Sequence, residues 1–162
     1  MSKTAATQLK SYHIPFDSME PAIPTGTDVL GDQSYYSMHK PKRWEVVVFS
    51  LPKASKSGTD SGRFVKRIIG LPGETIHLSP KGVAINGAMM AIPSTLKDRF
   101  SSFRKQEDYK CGFEPYKIPP DSVFVIGDNA DVYAADSREL GTIPISNIEA
   151  RVLASVSINP IT

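Results

Sequence analysis

The sequence predicts a mainly β fold, an antiparallel sheet with a small inserted segment. Three observations carry that reading. The apolar runs are short and rich in Val and Ile, 13 Pro and 11 Gly punctuate them, and nothing repeats at a fixed period. A chain of 162 residues and 17.7 kDa suits one buried core. With 40% hydrophobic and 22% charged residues, it is neither disordered nor fibrous.

Strands are expected near residues 27–31, 45–50, 64–70, 74–78, 83–85, 123–127 and 148–158. In the run from Arg63 to Ile69 polar and apolar residues interleave imperfectly, as in a strand near a sheet edge. Pro72-Gly73 and Pro80-Lys81-Gly82 read as tight turns, and Asn86-Gly87 as a two-residue hairpin, because both residues tolerate positive φ. Residues 52–62 form a polar Ser/Gly/Lys loop joining two strands. Residues 95–106 read either as one amphipathic helix or as a polar excursion carrying Phe100 and Phe103. The expected organisation is a catalytic β core of residues 11–85 and 121–158, an inserted segment or small subdomain at 86–120, and an N-terminal tail at 1–10.

Composition narrows the function. Nineteen basic against seventeen acidic residues leave +2, which gives no reason to expect nucleic acid as a partner. Cys111 is the sole cysteine, so no intrachain disulfide is possible, and it reads as a packed thiol. His13, His39 and His77 lack any ligand spacing, and no metal or cofactor is expected. No stretch approaches the roughly 18 apolar residues that cross a bilayer.

Three segments carry candidate chemistry. Ser18 lies in Pro15-Phe16-Asp17-Ser18-Met19-Glu20-Pro21, where two prolines restrict the backbone, a suitable mount for a nucleophile. Lys66 lies in a strand-like run whose apolar neighbours Phe64, Val65, Ile68 and Ile69 would lower its pKa toward the neutral state that a general base needs. The third segment runs from Gly127-Asp128-Asn129 to Asp136-Ser137-Arg138. Its aspartates fail the spacing of a calcium loop and read as a turn with an Asp136–Arg138 polar network. Singly, Ser18 reads as a surface turn residue and Lys66 as a solvated strand lysine.

Jointly, these segments resemble one family. IPxxSMEP, RxxVVVF, FVKRIIGLPGE and VFVIGDNxD…DSRxLGTIP occur in the order seen in bacterial type I signal peptidases, from Ile14 to about Val152. The resemblance implies a signal-peptidase-like antiparallel sheet and a serine endopeptidase with a Ser–Lys dyad. Ser18 matches the nucleophile and supplies a backbone oxyanion donor, and Lys66 matches the general base. Ile14, Phe16, Met19, Ile23, Phe64 and Val65 match pocket positions that admit small side chains, Ala above all. Asp128, Asp136, Ser137 and Arg138 match the supporting network. The implied substrates are signal peptides of exported preproteins, added as a strand between residues 11–14 and 63–66. The implied location is the extracytoplasmic (periplasmic) side of the inner or cytoplasmic membrane, with residues 14–16 and 44–49 as candidates to meet the bilayer surface.

The chain departs from the pattern in three ways. Phe16 stands where the family carries a hydroxyl that helps hold the oxyanion. The loop from Gly127 to Arg138 is one residue longer than the family's commonest form, so the hydroxyl that positions the lysine falls at Tyr133 or Ala134. The anchor typical of the family is missing, so the sequence looks like the extracytoplasmic domain of an anchored protein. Two other readings share the motifs: a maturation peptidase for conjugative pilin, and a non-catalytic chaperone for pilin assembly.

Overall fold

The computed structural model describes residues 6–51, 62–129, 132 and 135–156. Eleven strands are antiparallel throughout: β1 (Leu9–Ile14), β2 (Thr27–Asp32), β3 (Val46–Ser50), β4 (Arg63–Gly70), β5 (Thr75–Ser79), β6 (Gly82–Ile85), β7 (Ala88–Met89), β8 (Tyr116–Lys117), β9 (Ser122–Ile126), β10 (Ile143–Pro144) and β11 (Ile148–Val156). Three one-turn helices join them: α1 (Tyr35–Met38), α2 (Lys97–Phe100) and α3 (Ser137–Leu140).

The larger sheet has the order β1-β2-β11-β3-β4-β9-β10, and the smaller one β7-β6-β5-β8. β5 and β6 share the smaller sheet with residues of 86–120. Side chains divide with period two, as a sheet covered on both faces requires. In β3, Val46 and Val48 join Tyr12, Ile14, Met19, Ile23 and Val29, whereas Val47 and Phe49 join Ile68, Val123 and Val125. In β9, Phe124 and Ile126 turn toward the smaller sheet and pack with Ile76, Leu78 and Val83.

The turns follow their residues. Glu74 donates its N–H to the Leu71 carbonyl across Pro72-Gly73, with Gly73 at φ 79°. Asn86 and Gly87 both adopt positive φ, 52° and 83°, and close the β6–β7 hairpin. Two expectations change. The run from Arg63 to Ile69 is not near an edge: β4 sits between β3 and β9, and its polar residues are buried or paired rather than solvated. Residues 95–106 form neither one helix nor a solvated excursion. A 3-10 turn and α2 drive Leu96, Phe100 and Phe103 into the core between the sheets, where Trp44 meets Phe100 edge-on at 5.7 Å.

β1 was not among the expected strands. Only Tyr12 and Ile14 of its six residues are buried, because it is an edge with one covered face. The polar loop expected at 52–62 lies, except for Gly62, outside the described residues, as does the end of the strand expected at 148–158.

Phe100 plugs the seam between the sheets and is fully buried. Phe100→Ala is expected to lower unfolding stability by about 3–5 kcal/mol in denaturant titrations. A loss under about 1 kcal/mol would show that the inserted segment is not part of the core.

Candidate active site

Ser18 stands in the connection between β1 and β2, on a loop braced from within. The Glu20 amide donates to the Asp17 carbonyl (3.1 Å), that of Ile23 to Met19 (2.9 Å), and that of Gly26 to Ile14 (2.7 Å). Thr25 donates both its amide and its hydroxyl to the Glu20 carboxylate. Beneath the loop, Ile14, Met19 and Ile23 are buried and act as pegs in the apolar cluster with Val48 and Val65. A hydroxyl carried by such a loop has little freedom to wander.

Lys66 comes from the middle of the larger sheet, opposite Val47, and is 4% exposed. Its Nζ lies 2.7 Å from Ser18 Oγ. Burial is the dominant influence on the amine and lowers its pKa from 10.5 to about 8. The Asp136 carboxylate pulls it back upward, the Arg138 guanidinium offsets that pull, and Asp128 and Asp17 raise it further. Among the described residues Lys66 forms no ion pair, and two of the carboxylates that act on it, Asp128 and Asp136, are engaged by arginines.

Those engagements form two knots around the fully buried carboxylates of Asp136 and Asp128. Asp136 accepts from the Arg138 amide and Nε (3.0 Å each), from Arg138 Nη2 (2.7 Å), and from the Gly127 amide (3.1 Å). Ser137 Oγ accepts from the Val125 amide (2.9 Å), fastening α3 to β9. Asp128 accepts from Arg67 Nε (2.8 Å) and Nη2 (2.7 Å), and from Arg99 Nη1 of α2 (2.8 Å). Charge-assisted bonds of this kind, made away from water, fix geometry strongly.

Between the knots the chain touches the Ser18 loop directly. The Asn129 amide donates to the Ser18 carbonyl (3.0 Å), and Asn129 Nδ2 to the Asp17 carbonyl (2.9 Å). A Cβ on Gly127 would lie 2.8 Å from the Ser18 carbonyl oxygen and 3.7 Å from Lys66 Nζ, so only glycine fits there. The Ser18 amide has no hydrogen-bond partner among the described residues, so it is available to an incoming oxyanion.

The fold thus brings Ser18, Lys66, Asp128, Asp136, Ser137 and Arg138 into one region. The six apolar residues behave differently from one another. Phe16 is 63% exposed; Val65 is half-buried beside Ile14, Met19 and Ile23; Phe64 stacks on Phe49 at 5.4 Å in a separate cluster. Tyr133 and Ala134 lie outside the described residues. Of the two stretches considered for the bilayer surface, 44–49 is corrected: Val47, Val48 and Phe49 are fully buried in β3, and Trp44 packs on Phe100. Gly127, Asn129, Arg67 and Arg99 are the contributors that sequence reasoning missed. Gly127 and Asn129 lie inside a motif read as a turn, but Arg99 carries no motif at all. Among the described residues no group of His, Cys, Asp and Glu could hold a metal.

Two predictions follow from the amine and its glycine neighbour. Because the folded pKa of Lys66, about 8, lies below the unfolded 10.5, the unfolded chain binds the extra proton between those values. Wild-type stability therefore rises with pH across that window. Lys66→Met is expected to be more stable than wild type by about 2–3 kcal/mol below pH 8, the gap closing by pH 10.5. Denaturant melts at several pH values read this; a gap that does not change with pH would refute it. Gly127→Ala, whose Cβ would lie 2.8 Å from the Ser18 carbonyl oxygen, is expected to displace that backbone, costing at least about tenfold in kcat and lowering the melting temperature as well.

The match to known proteins covers nearly the whole chain. Residues 4–157 fit the family described as "Signal peptidase, peptidase S26". Signal peptidase I of Leptolyngbya laminosa is 33% identical over 146 residues, covering 89% of this chain and 66% of that protein. The chain therefore spans just under two thirds of that relative's length. Signal peptidase I V of Bacillus subtilis is 31% identical over 157 residues, covering 91% of this chain and 89% of that protein. Among solved structures, a signal peptidase I from Enterococcus faecalis superposes with a TM-score of 0.51 at 29% identity, over 72% of this chain and 98% of that one. With its antiparallel sheets and a sequence match running from residue 4 to residue 157, the chain belongs to the signal peptidase family, peptidase S26.

Proposed function

We propose that the protein is a serine endopeptidase that removes N-terminal signal peptides from exported preproteins, cutting after small residues at Ala-x-Ala sites. The observation that carries this reading is the 2.7 Å separation of Ser18 Oγ from a lysine amine whose pKa is lowered to about 8. An amine so adjusted is neutral in a useful fraction of molecules near neutral pH, and a neutral amine can accept a proton.

In the proposed reaction, Lys66 Nζ takes the Ser18 hydroxyl proton as Oγ bonds to the scissile carbonyl carbon. The carbonyl π electrons move to oxygen, and the Ser18 amide donates to the resulting oxyanion. Lys66 passes the proton to the leaving nitrogen, the C–N bond breaks, and the acyl group stays on Ser18. Water then enters, gives a proton to Lys66, and attacks the ester; collapse returns that proton to Ser18 Oγ and frees the signal peptide. Phe16 has no donor to add to the oxyanion, so the backbone amide carries that role without the usual hydroxyl.

For recognition, the extended end of the signal peptide lies between residues 11–14 and 63–66. In this reading half-buried Val65, packed against Ile14, Met19 and Ile23, is the apolar surface on which a small side chain such as Ala rests. The catalytic domain works at the extracytoplasmic face of the inner or cytoplasmic membrane, where exposed Phe16 suits the bilayer surface. No helix among the described residues is long and apolar enough to cross a membrane.

Incubation with an Ala-x-Ala peptide, with mass spectrometry of the products, tests the reading. Cleavage after the second Ala is expected, and it should be abolished in Ser18→Ala and Lys66→Ala while both variants keep the wild-type circular dichroism spectrum. The neutral amine is the active form, so kcat/KM should rise as pH increases through about 8 and fall about tenfold per unit below it. A Lys66→Ala protein with near-normal activity would remove the dyad.

A further inference from the structure

A cavity of about 260 Å³ opens beside the dyad, between the inserted segment and the loop that follows β9. It is lined by Arg99, Ser102, Arg104, Gln106, Gly127 and Arg138, with Phe103 and Ile126 closing its apolar side. Three guanidinium groups border one small space, and among the described lining residues there is no carboxylate. Arg99 shares Asp128 with Arg67, and Arg138 holds Asp136. Arg104 is exposed and makes no hydrogen bond or ion pair among the described residues. The side chains of Arg99 and Arg138, 18% and 10% exposed, are held largely out of water, where they attract an anion more strongly than exposed Arg104 alone would.

Position decides which anion. Gly127 lines the cavity, and its missing side chain leaves the backbone close to both Ser18 and Lys66 Nζ. In acyl transfer the proton taken from Ser18 must reach the leaving nitrogen, so the leaving segment passes on the lysine side of the serine. Gly127 is the residue at which that side of the dyad and the wall of the cavity meet. Resting on the peptidase reading above, we propose that this cavity is a specificity subsite for the mature side of the precursor. It takes an Asp or Glu side chain within the first two residues after the cut, with Arg104 as the principal charge partner and Ser102 and Gln106 as hydrogen-bonding groups on the same wall.

The test compares peptides that carry one Ala-x-Ala site followed by Glu or by Gln, at about 20 mM salt so that screening is weak. The Glu peptide is expected to give a kcat/KM about fivefold higher, mostly through KM, and the ratio should shrink at about 0.5 M salt. Arg104→Gln should bring the Glu-to-Gln ratio close to one, and Arg104→Lys should retain most of it. Equal cleavage of both peptides by the wild type, or a ratio that Arg104→Gln leaves intact, overturns the subsite and leaves the peptidase reading standing. If neither peptide is cut, the peptidase reading falls and the subsite with it. A third overturning result is a ratio of one together with Arg104-dependent sedimentation with phosphatidylglycerol vesicles but not with phosphatidylcholine vesicles, which assigns the cavity to a lipid headgroup.

Discussion

The rest of the structure depends on one uncomfortable group, a lysine amine in the middle of a seven-stranded sheet. Taking an ammonium out of water without a partner costs several kcal/mol, and proteins ordinarily avoid that by exposing the group or pairing it. Lys66 has neither escape. β4 runs between β3 and β9, so the side chain cannot reach solvent. Asp128 and Asp136, the acids best placed to pair with it, are saturated by Arg67, Arg99 and Arg138. The two acid–arginine knots therefore stiffen the loop after β9 and also deny the lysine a counterion. A free carboxylate in either position would hold the amine protonated and silent.

Ser18 is held against this amine through backbone contacts as much as through side chains. Met19 and Ile23 seat the Ser18 loop from below, and Asn129 ties its carbonyls from the side. Gly127 makes the approach possible by having no side chain. The inserted segment contributes as well: its aromatic residues fill the seam between the sheets, and its Arg99 reaches across to Asp128. Residues 86–120, expected from the sequence as an insertion, thus supply both core and charge to the site they border.

Legibility in the sequence tracked how local each cause was. Asn86-Gly87 and Pro72-Gly73 announced their turns because the deciding physics, tolerance of positive φ, sits within the dipeptide. The fold class was readable from Val- and Ile-rich runs such as Val46–Phe49. β1 was not, since an edge strand with two buried residues leaves almost no alternation to read. Lys66 and Arg67 made β4 look like an edge strand because a buried lysine and a paired arginine mimic solvated polar positions. Within the site, Ser18 and Lys66 were singled out by pattern, and the fold brings them to hydrogen-bond distance. Arg99 was beyond reach: its meaning depends on the distance to Asp128, 29 residues away in sequence, and nothing local encodes that.

The two halves of the dyad also differ in how firmly the fold holds them. Lys66 belongs to a central strand, whereas Ser18 hangs from the turn behind β1, an outer strand whose first three residues are exposed. Local opening events draw on the cheapest part of a structure, and an edge hairpin peels at lower free energy than the sheet it borders. Detachment of β1 and its loop would carry the hydroxyl away while the other strands stayed paired. In the proposed reaction, hydrolytic competence would then belong to a sub-global folding unit, expected to be lost on warming before cooperative melting begins, with amide exchange in β1 reporting it while exchange in β4 stayed slow.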